Sequence, residues 1–295
     1  MSFGARHLPL LRELGDLKRI RSADRQGSVA ERLFRRGWAA LARGDDAGEI
    51  MRRTAAAALA AARLGDLDRA KLDELGLSEA EAVPVLERAF DEVTVTVDPA
   101  LAGALRGALT HGVPADGPAP RFVDLLCAQP RAGVTCPGMP RLMLQPPENH
   151  AEHCLLVAVY GVLAAPGYGA DPTQVFVAGL AHHLHNAAMP DAGFTGEVLL
   201  GDLLDRVIGD ARETAFDELT PDVRATVRGA LAPIGGDATA EARAFHAADV
   251  IDRVLEIEQH GRAADMDRVL GEYALVHAGP VKGFHDRVLA EVGLL

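Results

Sequence analysis

The stretch from Asp171 to Asp191, DPTQVFVAGLAHHLHNAAMPD, constrains the fold more than any other part of the chain. Asp171 can cap a helix whose first residue is Pro172, because a proline at the first helical position gives up no needed N–H and brings a pre-set φ. Val175, Val177, Ala178, Leu180, Ala181 and Leu184 then leave this helix apolar on nearly every side. Such a helix belongs in the middle of a domain, with other elements around it. At its end stand His182, His183 and His185, three of the chain's eleven histidines. A buried imidazole without a partner costs on the order of 1–3 kcal/mol, and a metal ion is the simplest common partner. Ordinary helix-end histidines are the competing reading.

The 295 residues, 48% of them apolar, suffice for one large domain or two modest ones. Aromatic residues make up only 4% of the chain. The richness in Ala, Leu, Arg, Asp and Glu predicts an all-α fold. A net charge of −12 argues against a nucleic-acid surface, which rests on Lys and Arg neutralising phosphates. The first fifty residues are locally basic, with Arg6, Arg12, Lys18, Arg19, Arg21, Arg25, Arg32, Arg35, Arg36 and Arg43. These fit a solvated helix face or a patch that meets acids, including those of the C-terminal half. Cys127, Cys136 and Cys154 lack C-x-x-C spacing and suit a reducing compartment. The N-terminus shows no charged-then-apolar signal pattern, and no apolar run reaches the roughly 20 residues needed to span a bilayer. The expectation is a cytoplasmic protein without a membrane or nucleic-acid partner.

Residues 1–110 read as an N-terminal region of short helices: an amphipathic one from Ser28 to Arg43, an Ala-rich one from Glu49 to Leu64, and one opened by a Ser78/Glu81 capping box and running to about Phe90. The alternation of Val93 to Val97 permits a strand, although no partner strand is evident. Asp98 and Pro99 start another helix to about Thr110. Residues 111–147 are rich in Pro and Gly, which helices cannot run through; they form a linker or a lid, with a short apolar element at Arg121 to Ala128. Residues 148–295 make the third region. It opens with a helix from about Asn149 that closes at Pro166 and Gly167, and His150 and His153 share a face of its first turn. The short connection to the helix from Asp171 to Ala188 favours antiparallel packing, which brings the two histidine groups together. A later helix ends at the cap residue Gly261 and carries His246 and Asp249 three apart. Asp249 sits among Ala247, Ala248, Val250 and Ile251, so a metal ion or Arg253 one turn on must satisfy it. Helices from Asp265 to His277 and from Val281 to Val292 complete the chain as packing elements, with His277 and His285 as surface or core residues rather than ligands.

An upstream His, a His pair on a buried helix and a distant Asp resemble the HD-domain superfamily over residues 145–290. In that family a His near a helix start, an "HD" pair and a later Asp hold a divalent metal in a helical bundle. The resemblance places these ligands at His153 in AEHC, His182, His183 and Asp249 in AADVID. His183 stands where the family has Asp, which takes away the bridging carboxylate of its two-metal members and implies one ion. A His-rich set suits Mn, Fe, Ni, Co or Zn better than magnesium. Asn186 stands where single-metal phosphohydrolases of the family often carry Glu, so Asp191 inherits the orientation of water, with Glu197 as the next carboxyl. His150, His185 and His246 become supporting or substrate-contacting residues. The implied function is metal-dependent hydrolysis of a small phosphorylated substrate, nucleotides included, with Arg131, Arg141 or a basic N-terminal helix supplying the cationic contact to the phosphate. An iron-dependent oxygenase and a non-catalytic sensor or scaffold are the rival readings. No Gly-rich phosphate loop or G-x-S-x-G elbow is present. The Ala-rich N-terminal helices offer a face for a homodimer.

Overall fold

The computed structural model describes residues 3–260, 270, 275–276 and 278–295. Among the described residues the fold is all-α, with isolated bridges but no strand. The helices are α1 (Leu8–Gly15), α2 (Val29–Arg43), α3 (Ala47–Leu64), α4 (Arg69–Glu74), α5 (Glu79–Val93), α6 (Pro99–Ala108), α7 (Arg121–Ala128) and α8 (His150–Tyr168). They continue as α9 (Pro172–Ala181), α10 (Gly193–Leu200), α11 (Leu204–Phe216), α12 (Pro221–Leu231), α13 (Ala240–His260) and α14 (Lys282–Val292).

Local chemistry accounts for the helix starts. Ser28 Oγ accepts from Glu31 N at 3.1 Å, Asp98 caps α6, and Ser78 and Glu81 form a reciprocal capping box at α5. Asn149 and Glu152 form another at α8, and Asp171 with Pro172 opens α9. The ends differ more from expectation. Residues 94–96 wind into a 3-10 turn at the end of α5, so the VTVTV alternation yields no strand. Helix α8 runs through Pro166 to Tyr168; a proline in the last turn removes a bond close to where Gly169, at φ 69°, stops the helix anyway. Helix α9 ends at Ala181 instead of continuing to Ala188. Gly261, the 265–277 segment and His277 fall outside the described residues, apart from Leu270, Leu275, Val276 and the helix C-terminal to them.

Helix α8 is the centre. By length and composition it could cross a bilayer, in contrast to the expectation that no run would, yet it is enclosed by protein. Helices α9 and α13 pack along it, α2 and α3 cover a further side, and α12 lies on α9. That enclosure explains its lack of a polar stripe. Two glycines allow the close crossing of α8 and α9: a Cβ on Gly179 would lie 2.5 Å from Ala158 Cα, and one on Gly161 2.5 Å from Val175 Cγ1. The apolar core is continuous from Phe3 to Val292.

The basic N-terminal residues are paired within the chain and do not form a simple solvated face. Arg12 makes a bidentate contact with Glu258, Arg19 meets Glu256, Arg21 meets Glu152, and Arg25 and Arg32 meet Asp66. The three cysteines are free thiols.

Candidate metal centre

Antiparallel packing of α8 and α9 sets the first turn of one against the last turn of the other. His153 and His182 lie with ring centroids 5.1 Å apart, and His150 and His183 4.7 Å apart. Successive residues on a continuous helix point about 100° apart. His182 still closes α9 through its N–H to Ala178 O, but His183 leaves the helix at φ −100°, ψ 17°. The break turns both rings inward, with centroids 4.3 Å apart. Helix α13 contributes Asp249.

The hydrogen bonds around these rings fix their protons. His153 Nδ1 lies 2.7 Å from Asp252 Oδ2, and His182 Nδ1 lies 2.8 Å from Gly179 O. Both partners are acceptors, so both Nδ1 atoms donate. The two Nε2 atoms then face each other at 3.1 Å, with Asp249 Oδ1 at 3.3 Å from the first and 3.9 Å from the second. Two lone pairs and a carboxylate oxygen at that spacing repel unless something positive joins them. A second proton on His153 donated to Asp249 does so, and so does a divalent ion, whose nitrogen ligands at about 2.0–2.1 Å would stand about 3 Å apart. Burial and the neighbouring His153 push His182 well below the ordinary histidine range, which keeps its lone pair available. Burial would raise the Asp249 carboxyl, but His153, Arg253 and His182 outweigh it and hold the group well below the usual carboxylate range. The donor set fits a metal ion.

His183 reaches the same point, since its ligating nitrogen lies within 4.8 Å of those of His153 and His182. Its Nδ1 donates to Asn186 Oδ1 at 2.7 Å, while Nε2 accepts from Arg131 Nη1 at 3.1 Å. Ligation by His183 therefore requires Arg131 to give up that contact. Asp191 accepts from the backbone N–H of Ala132 at 2.8 Å and of Gly193 at 2.9 Å, which ties the 130–147 segment to the start of α10. His150 is fully buried with neither ring nitrogen hydrogen-bonded, and Asp191 Oδ2 stands 3.5 Å from its Nε2. Burial, with Arg131 beside it, holds His150 far below the ordinary histidine range. His185 packs 5.6 Å from the His183 ring, and burial lowers it to about 4. His246 turns away from the cluster: its Nε2 donates to Ile234 O at 2.9 Å and its ring packs on His285. Arg141 spends its guanidinium on Ala132 O.

A second acidic cluster backs the first, and the sequence reading missed it. Glu148, Asp252 and Glu256 surround the ammonium of Lys18 at 2.7, 2.9 and 3.2 Å. All four groups are buried. Burial alone would lower the Lys18 ammonium, but Asp252, Glu148 and Glu256 together raise it well above the ordinary lysine range. Glu148, His153 and Asp252 have metal-ligand spacing, yet Lys18 supplies their cation, one N–H for each carboxylate. Asp252 therefore joins Lys18 to His153. The sequence did carry a signal: Asp249, Asp252 and Glu256 follow helical spacing along ADVIDRVLEIE, where Val250, Ile251, Val254, Leu255 and Ile257 are apolar.

A cavity of about 350 Å³ opens onto His182, His183 and Asp249. The 130–147 segment lines one side through Arg131, Val134, Met143 and Leu144, α10 another through Phe194 and Glu197, and α13 a third. Burial and the charge of Asp191 raise the Glu197 carboxyl, against Arg253 and Arg131. Comparison of the chain with protein-family models, with curated proteins and with solved structures found no match.

Proposed function

We propose that this chain hydrolyses a phosphate ester at a single divalent-metal site, in the manner of the HD-domain proteins that its His and Asp pattern resembles. The observation that carries the reading is the pair of Nε2 atoms facing each other at 3.1 Å with Asp249 Oδ1 beside them. Their Nδ1 protons are already committed, so the open electron pairs converge where an ion would sit. His153, His182 and Asp249 would hold that ion, with His183 as a fourth ligand once Arg131 moves. A nitrogen-rich set of this kind favours manganese, iron, nickel, cobalt or zinc. When bound, such an ion makes water more acidic and offsets charge on a phosphoryl group.

The remaining roles belong to side chains around the cavity. Arg131 faces His183, Glu148 and Asp191, and its guanidinium matches two phosphoryl oxygens. Binding an anion would draw it off His183 Nε2, so substrate and ligand set are coupled. Asp191, pinned by two amides, presents a fixed acceptor that orients the attacking water. His150 lies beside Asp191, with its Nε2 3.5 Å from Asp191 Oδ2. The cavity accommodates a small substrate with an apolar portion against Val134, Leu144 and Ile257.

Elemental analysis of untagged protein purified without added metal tests the reading. About one equivalent of a transition metal is expected, lost in His182→Ala and Asp249→Ala. Manganese, nickel, cobalt or zinc goes with hydrolysis, whereas iron with oxygen consumption would replace it by the oxygenase reading. Less than about a tenth of an equivalent, unchanged in the variants and not restored by added metal, would leave a non-catalytic scaffold.

A further inference from the structure

Five carboxyl groups among the described residues line the cavity, and four of them have partners within the protein. Glu148 and Glu256 are held by Lys18, Asp249 lies against His153, and Asp191 accepts two backbone amides. Glu197 alone has no hydrogen-bond partner among the described residues. Its helix is unusual. All-round apolar helices are normally enclosed, yet α10 buries none of its residues and leaves Leu199 82% exposed. It lies between Gly193 at φ +67° and Gly201 at φ +51°, conformations that other residues rarely adopt. Glu197 therefore lines the same cavity as His182 and His183, from a helix with no buried residue.

We infer that Glu197 is the general acid of the site and protonates the leaving oxygen of the ester. The inference rests on the hydrolase reading above. The oxygen of water bonds to phosphorus as the P–O ester bond breaks, and the breaking bond's electron pair stays on the leaving oxygen. That oxygen takes the carboxyl proton of Glu197 and departs as an alcohol or phenol. The water brings two protons to the new phosphate, and one of them returns to the Glu197 carboxylate, which restores the acid. Asp191 and Glu197 thus divide the work of two neighbouring carboxyls: the one pinned by amides acts as acceptor, and the one without a hydrogen-bond partner among the described residues, shifted upward by partial burial and by Asp191, acts as donor. Charged groups facing Glu197 are Asp191, which favours the protonated form, and Arg253 and Arg131, which oppose it. Partial burial of the Glu197 side chain is the largest influence and also favours the proton.

Leaving-group dependence tests this. A general acid matters for a poor leaving group and little for one that departs as a stable anion, and it contributes roughly 100-fold or more. Metal-loaded wild type and Glu197→Gln are compared on 4-nitrophenyl phosphate and phenyl phosphate. The expected result is a loss on phenyl phosphate that exceeds the loss on 4-nitrophenyl phosphate by on the order of 100-fold, partly recovered in Glu197→Asp. A second readout needs neither metal nor turnover: infrared difference titration should show a carboxyl band that titrates above the ordinary glutamate range and is missing from Glu197→Gln. Equal losses on both esters, or no such band, overturn the inference while hydrolysis by the wild type stands. Wild-type protein that turns over neither ester with any of the five metals overturns the hydrolase reading, and this inference with it.

Discussion

His285 shows how a single buried ring sets the response of the protein to acid. It packs between Phe284 and His246 with its Nε2 buried and without a hydrogen-bond partner among the described residues, and burial lowers it to about 4. Above about pH 6.5 neither the folded nor the unfolded ring carries a proton, and no penalty arises. Between that value and 4 the unfolded chain takes up a proton that the folded chain refuses, so stability falls as the pH drops. His185, also lowered to about 4, acts in the same direction. The urea midpoint should therefore decline from pH 7 to 4, and the decline should be shallower in His285→Gln. Parallel declines in the two proteins would remove His285 from this account. The sequence reads His285 only as a surface or core residue and not a ligand. The surroundings of its Nε2 are not legible there, because they depend on α13 and α14 meeting.

At the scale of elements, the crossing of α8 and α9 controls the site. A methyl group on Gly179 would press on the backbone of Ala158, which cannot rotate away, whereas one on Gly161 would meet the movable Val175 side chain. Overpacking costs about 1–3 kcal/mol or more, against a helix-propensity gain of about 1 kcal/mol for alanine. Gly179→Ala should lose about 3 kcal/mol in urea unfolding, and Gly161→Ala clearly less. Because Gly179 O also accepts from His182 Nδ1, Gly179→Ala should weaken metal binding as well. Equal stability and equal metal affinity in both variants would show that the spacing is not critical. Asp171 and Pro172 made the start of α9 legible. Its end was not, since His183 leaves the helix only where Asn186 and Arg131 hold its ring.

Across the whole molecule, Lys18 joins regions that the sequence reading treated separately. Its ammonium ties the turn after α1 to Glu148 before α8 and to Asp252 and Glu256 on α13. Removing one partner from a buried ionic cluster typically costs about 3–5 kcal/mol, because the charges left behind have lost their compensation. Lys18→Met should be destabilised by roughly that amount at neutral pH, with a smaller deficit in mild acid as protons replace the ammonium. A stability within about 1 kcal/mol of wild type at pH 7 would mean that the three carboxylates find another cation. Since Asp252 also accepts from His153, the same variant should bind metal more weakly.

Local rules in the sequence determined the all-α class, the capped starts of α2, α5, α6, α8 and α9, and the proximity of His153 to His182. Capping and hydrophobic periodicity act over a few residues and can be read from order alone. Tertiary structure decided that His182 and His183 turn to one point, that His246 turns away to Ile234, and that Lys18 is the internal cation behind the site. It also placed Glu197, with no hydrogen-bond partner among the described residues, on a helix none of whose residues is buried. Each of these depends on side chains distant in the chain sharing one low-dielectric space, where the position of every proton and charge is fixed by its neighbours.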